Sequence, residues 1–159
     1  MRAWNTAIGW IAHGFGLGLS PVASGTVGSL WGVLIVWASF PRLAVVEQVL
    51  LASLLAVAAI PVCGIAERAY GTKDDGRIVA DEYLTFPLCM IGLPAQSPVM
   101  LGAAFLTCRA LDIVKPPPAR QAQDLHGGLG IVLDDVIASL MSLALNHLLY
   151  AAVLKSAIG

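Results

Sequence analysis

Two long stretches of this chain carry almost no charge. Residues 27–66 contain only Arg42 and Glu47, and residues 136–159 contain only Lys155. A helix needs about 20 apolar residues to cross a hydrocarbon core of roughly 30 Å, and segments 43–66 and 131–154 are long enough. Segments 27–40, 84–92 and 99–108 are shorter. Across the 159 residues 58% are hydrophobic and 12% charged, against roughly 25% charged in soluble domains, and the mean hydropathy is +0.82. Those values exclude a disordered chain and a coiled coil. The net charge of −1 gives no field to attract a polyanion, so no nucleic-acid partner is expected. The expectation is an all-α, polytopic membrane helical bundle with short or re-entrant helices, formed as one domain over residues 1–159.

The remaining charges gather in two clusters. Residues 67–83 hold Glu67, Arg68, Lys73, Asp74, Asp75, Arg77, Asp81 and Glu82; residues 109–135 hold Arg109, Asp112, Lys115, Arg120, Asp124, Asp134 and Asp135. LPAQSP at 93–98 reads as a turn, so 84–92 and 99–108 form a helical hairpin that returns both clusters to one membrane face. A single span over 84–108 would separate them. The bias of Lys and Arg toward these two loops makes that face cytoplasmic, and the glycine-rich stretch 14–28, two crossings earlier, lands on it too. Residues 1–16 read as a retained surface helix rather than a signal peptide. Cys63, Cys89 and Cys108 show no C-x-x-C spacing and read as packing residues.

Four motifs fall on the shared face. In GFGLGLSPVASGTVGSL, residues 14–30, Gly25 and Gly28 let backbone amides approach a ligand, and Ser20, Thr26 and Ser29 add hydroxyls. Such a loop at a helix start can cradle phosphate, or its small residues can pack helices; without a Walker pattern both readings stand. In DDGRIVADEY, residues 74–83, Asp81 and Glu82 head an apolar helix, where adjacent carboxylates repel unless a cation intervenes. They read as a metal pair, and Asp74 and Asp75 as an interfacial cap. In RALDIVKPPP, residues 109–118, Arg109, Asp112 and Lys115 recur every three positions. They form an i,i+3 ion-pair ladder, or place Asp112 on a metal and both cations on phosphate. In HGGLGIVLDDVIASL, residues 126–140, Asp134 and Asp135 sit among aliphatics near the start of a long apolar helix and read as metal ligands. His126 is an interfacial side chain or hydrogen-bond donor rather than a ligand, His147 a packed polar residue and His13 a surface one.

A donor set made only of hard oxygens fits Mg2+ rather than zinc or copper. Mg2+ beside Arg, Lys and an amide-rich loop implies a phosphoryl or phosphohydrolase site. Cys-x5-Arg, D-x-D-x-T and D-G-x-x-A-R motifs and paired histidines are all absent from the sequence. The competing class is an ion or proton transporter, which predicts acids at mid-helix; a silent lipid-binding scaffold is a third.

GFGLGLSP with GTVGSL, then GRIVADEY, RALDIVKPPP and HGGLGIVLDD, in that order from about residue 8 to 140, resemble the phosphatidylglycerophosphatase A family. The resemblance implies Mg2+-dependent removal of phosphate from phosphatidylglycerophosphate, a phospholipid substrate in the bilayer, and a bacterial inner membrane. Asp81, Glu82, Asp112, Asp134 and Asp135 would then hold one or two Mg2+ ions as the catalytic set. Arg109, Lys115 and the amides of 25–29, with Ser20, Thr26, Ser29 and His126, would face the substrate. Ser24 and Thr85 depart from the family pattern, and the loop 119–125 is shorter and less basic.

Overall fold

The computed structural model describes residues 3–73 and 75–155, so Asp74, expected in the interfacial cap, lies outside the described residues. Among the described residues there is helix and turn but no strand. The helices are α1 (Ala3–Ala12), α2 (Ser24–Gly28), α3 (Leu30–Ser39), α4 (Val45–Tyr70), α5 (Ala80–Thr85), α6 (Pro98–Val114), α7 (Ala119–Ala122) and α8 (Gly128–Leu149), with a π turn over Tyr150–Leu154 and short 3-10 turns between some of them. Among the described residues, three stretches are long and apolar enough to span a membrane: Ser24–Arg42, Val45–Tyr70 and Gly128–Val153.

The expected hairpin is made, but its two arms differ. The outgoing arm is α5 followed by a 3-10 turn, Phe86–Met90. Pro87 removes a donor, and the chain tightens instead of continuing as an α-helix. Residues Phe86 to Met90 are all buried, packed on α3, α4, α6 and α8. The segment 84–92 is short because protein surrounds it, not lipid. The returning arm, α6, starts with Pro98 and a Ser97 cap accepting from the Met100 amide at 3.3 Å. It runs six residues past the expected end at 108, to Val114.

Non-helical backbone at this depth needs partners. Asn146, fully buried in α8, donates Nδ2 to the Cys89 carbonyl at 3.1 Å. Gln48 of α4 accepts from the Gly92 amide at 2.9 Å, and the His147 ring nitrogen Nε2 lies 2.9 Å from the Ile91 carbonyl. His147 is therefore an exposed side chain bound to the arm, not the packed one expected. Thr107 joins the network, donating to Asn146 Oδ1 at 2.7 Å and lying 2.8 Å from Ser142 Oγ. Cys63, Cys89 and Cys108 are buried free thiols, as expected of packing residues.

The α4–α8 crossing is tight. A Cβ on Gly128 would lie 2.0 Å from the Ile60 carbonyl oxygen and 2.7 Å from the Gly64 amide. Small residues let membrane helices approach this closely. Gly128→Ala is expected to cost about 1–3 kcal/mol, the range for overpacking, whereas Gly102→Ala, with nothing within 4 Å of its Cβ, gains up to about 1 kcal/mol from helix propensity. Unfolding in detergent micelles checks the contrast; equal stability of the two variants would contradict the crossing.

Candidate active site

Three helix ends meet at one end of the bundle. α5 contributes Asp81 and Glu82 from its first turn, where carboxylates suit the helix dipole. α6 contributes Asp112, and Lys115 caps its C-terminus in the left-handed conformation at φ 46°. That geometry costs a non-glycine residue about 1–2 kcal/mol, and Pro116 forbids simple continuation of the helix. The second turn of α8 contributes Asp134 and Asp135, only 3% and 5% exposed. All six residues line a cavity of about 260 Å3, together with Ser24, Gly76, Ile78 and Ile113.

The charges are strung in alternation. Arg109 Nη1 donates to Glu82 Oε2 at 2.7 Å and to Asp112 Oδ2 at 2.5 Å. Lys115 Nζ lies 4.0 Å from Asp112 Oδ1 and donates to Asp134 Oδ2 at 2.5 Å. The i,i+3 ladder along α6 therefore exists, but it runs beyond α6 at both ends, onto α5 and α8. Burial would lower the Lys115 pKa; the hydrogen bond to Asp134 and the charges of Asp134, Asp135 and Asp112 outweigh it and raise the pKa above its ordinary value.

Five carboxylates (Asp81, Glu82, Asp112, Asp134 and Asp135) meet two cations, Arg109 and Lys115, an excess of three formal negative charges. All five offer hard oxygen donors, which fits a hard divalent cation such as Mg2+. Among the described residues no group of three or more of these side chains is arranged as a ready metal cage; Glu82, Asp112 and Asp134 are engaged in ion pairs with the two cations.

The glycine-rich segment reaches the site by packing. Ser29, at the break between α2 and α3, places its hydroxyl within hydrogen-bond distance of two acceptors, the Gly25 carbonyl at 2.8 Å and Glu82 Oε2 at 2.9 Å. A Cβ on Gly25 would lie 2.0 Å from Glu82 Oε1, and one on Gly28 2.6 Å from the Val79 Cβ. The small-residue reading is thus realised at both glycines. Ser20 bonds locally to the Val22 carbonyl at 2.9 Å; Thr26 is half-buried and His126 exposed, and none of these three lines the cavity.

Sequence reasoning missed Ser24, whose Oγ donates to the Gly76 carbonyl at 2.6 Å on the cavity wall. Its signal was the departure from the family pattern at that position. Thr85, the other departure, donates Oγ1 to the Asp81 carbonyl at 2.7 Å. The strap 75–79 is held from outside the cavity. Arg77 forms a two-bond pair with Asp75, each bond 2.8 Å, and stacks 4.1 Å over the Tyr70 ring. Its hydrogen bonds hold the Asp75 carboxyl down at about 2. His13, expected at the surface, instead stacks on Tyr70 and shares a hydrogen bond with its hydroxyl.

Comparisons with known proteins point to one family. Residues 10–150 match the family model for phosphatidylglycerophosphatase A. A protein of that name from Escherichia coli K12 is 34% identical over 133 residues, 83% of this chain and 77% of its own length. One from Haemophilus influenzae is 34% identical over 131 residues, 82% and 80% of the two chains. A protein described as a candidate phosphatidylinositol-3-phosphatase, from Bacteroides thetaiotaomicron, is 32% identical over 142 residues, 85% and 88%. No solved structure matches the chain.

The contact between Gly25 and Glu82 makes the two positions energetically coupled. Gly25→Ala drives a methyl into the carboxylate, so the double variant Gly25→Ala/Glu82→Ala is expected to be less destabilised than the sum of the singles. The difference should be about 1 kcal/mol or more, within the range for residues in contact. Unfolding of all three variants measures it, and strict additivity would contradict the contact.

Proposed function

This chain belongs to the phosphatidylglycerophosphatase A family of membrane phosphatases, and on that premise we propose that it hydrolyses the terminal phosphate monoester of phosphatidylglycerophosphate at a Mg2+-dependent site on the cytoplasmic side of a bacterial inner membrane. The observation that carries this reading is the gathering of Asp81, Glu82, Asp112, Asp134, Asp135 and Lys115 around one cavity.

The five carboxylates would hold the metal. When bound, Mg2+ would neutralise charge on the phosphoryl oxygens and on the leaving oxygen. Lys115, the cation on the cavity wall, has three N–H donors, so it can keep Asp134 and still meet a non-bridging oxygen. One carboxylate takes a proton from water as the water oxygen bonds to phosphorus. The phosphorus–oxygen bond to glycerol then breaks, the glycerol oxygen gains a proton, and inorganic phosphate leaves. Such a transfer depends mostly on positioning and charge stabilisation, which a ring of side chains from three helix ends supplies. Ile78 and Ile113 make the apolar part of the wall.

The transporter reading called for acids in mid-helix. Here the acids sit at the ends of α5, α6 and α8, and the polar residues deeper in α8 (Ser139, Ser142 and Asn146) are uncharged. Lys73, Arg109, Lys115 and Arg120 lie on the side of the site, which supports a cytoplasmic placement.

Phosphate release from phosphatidylglycerophosphate in mixed micelles, with and without EDTA, tests the activity. Asp134→Asn and Asp135→Asn are each expected to abolish turnover at millimolar Mg2+ while leaving the fold intact. Near-full activity in both would put the metal elsewhere. Equal release from phosphatidylinositol 3-phosphate would shift the head group toward that named for the Bacteroides relative. For orientation, Lys73→Cys or Arg120→Cys in sealed cells should resist an impermeant thiol reagent added outside. The three natural thiols are buried, so labelling from outside at either position would reverse the topology.

A further inference from the structure

The two basic residues of the RALDIVK motif occupy different places. Lys115 lines the 260 Å3 cavity. Arg109 does not. It lines a separate crevice of about 10 Å3, with Ser29, Thr85, Cys108 and Ser139, which has room for no more than about one water. Glu82, Asp112 and Asp135 line both spaces. They form the partition, with Lys115 on the cavity side and Arg109 behind.

We propose that Arg109 is a positioning residue that acts through Glu82 and Asp112, and that Lys115 alone of the pair meets the phosphoryl group. This inference rests on the Mg2+-dependent phosphatase reading of the cavity. Glu82 comes from α5 and Asp112 from α6, and both face the same cavity, so their charges push the helices apart. One guanidinium nitrogen, Nη1, bonds both carboxylates at 2.7 and 2.5 Å, and Ser29 closes on the same Glu82 oxygen at 2.9 Å. The spacing of two candidate metal ligands is thereby set from behind. Only 14% of the Arg109 side chain is exposed. The space beside Arg109 holds about one water, whereas Lys115 opens onto the cavity large enough for a phosphate. Supporting contacts of this kind commonly alter metal affinity ten- to a hundred-fold.

Arg109→Gln and Lys115→Ala, purified in detergent, separate the two roles. Three quantities are measured for each: Mg2+ affinity by calorimetry without lipid, the KM for lipid with kcat, and competitive inhibition by inorganic phosphate. For Arg109→Gln, Mg2+ affinity is expected to fall about ten-fold or more, with lipid KM and phosphate inhibition within about two-fold of wild type. Lys115→Ala should weaken phosphate inhibition and lower kcat, and the loss of phosphate inhibition is what separates it from Arg109→Gln, since Lys115 also bonds a candidate metal ligand, Asp134. Arg109→Lys, which keeps the charge, serves if the Gln variant fails to fold, and should fall between wild type and the ten-fold loss. Weakened phosphate inhibition with unchanged Mg2+ affinity in either Arg109 variant would overturn the proposal, and so would no change in any quantity. Wild-type protein that binds no Mg2+, or whose turnover survives EDTA, refutes the metal-dependent reading first and this inference with it.

Discussion

The string of opposite charges from Glu82 through Arg109, Asp112 and Lys115 to Asp134 is the interaction that the rest of the structure serves. At an effective dielectric of about 20, two like charges 4 Å apart repel by about 4 kcal/mol. Five carboxylates on three helix ends could not share one cavity against that repulsion without cations interleaved. The interleaving also determines geometry. α5 is tied to α6 by Arg109, and α6 is tied to α8 by Lys115, so no two of the three ends shift independently.

Close backbone approach makes this possible. α5 has only six residues and could not hold its place by its own helical cohesion. It is clasped by neighbours: the Val79 amide donates to the Ala12 carbonyl at 2.8 Å, and the Tyr83 hydroxyl to the Ile11 carbonyl at 2.9 Å. Gly25, Gly28 and Gly32 bring α2 and α3 against Glu82, Val79 and Phe86 at distances that a Cβ would forbid. These glycines therefore serve the cavity wall by letting it be close, rather than by presenting themselves to the cavity.

What the sequence made legible follows from which forces leave a trace in one dimension. Charge-poor runs mark spans, and the hairpin followed from the two charged clusters and the prolines between them. Glu82 bonding Arg109 bears that hairpin out. The gathering of Asp81, Glu82, Asp112, Asp134 and Asp135 was legible because acids among aliphatics have few inert explanations. Burial against protein and burial against lipid, by contrast, select the same side chains, so the length of 84–92 alone could not show that protein encloses it. Nor does a hydroxyl in a glycine-rich loop reveal its direction. Ser20 turns onto Val22 while Ser24, four residues on, faces the cavity. Arg109 and Lys115 look equivalent at i,i+6, and only the left-handed cap at Lys115 and the crowding around Arg109 separate them.

The enclosed 3-10 turn constrains how the protein can be made. Its Cys89 carbonyl and the Ile91 carbonyl just after it are bonded by Asn146 and His147, which lie more than fifty positions later in the chain. A nascent chain carrying residues 86–92 but not yet α8 holds a segment with unbonded backbone groups, which lipid rejects. Those two carbonyls gain their partners only when α8 is in place. α5, which bears Asp81 and Glu82, leads directly into that segment, so the acidic wall it makes depends on the same late contacts from α8.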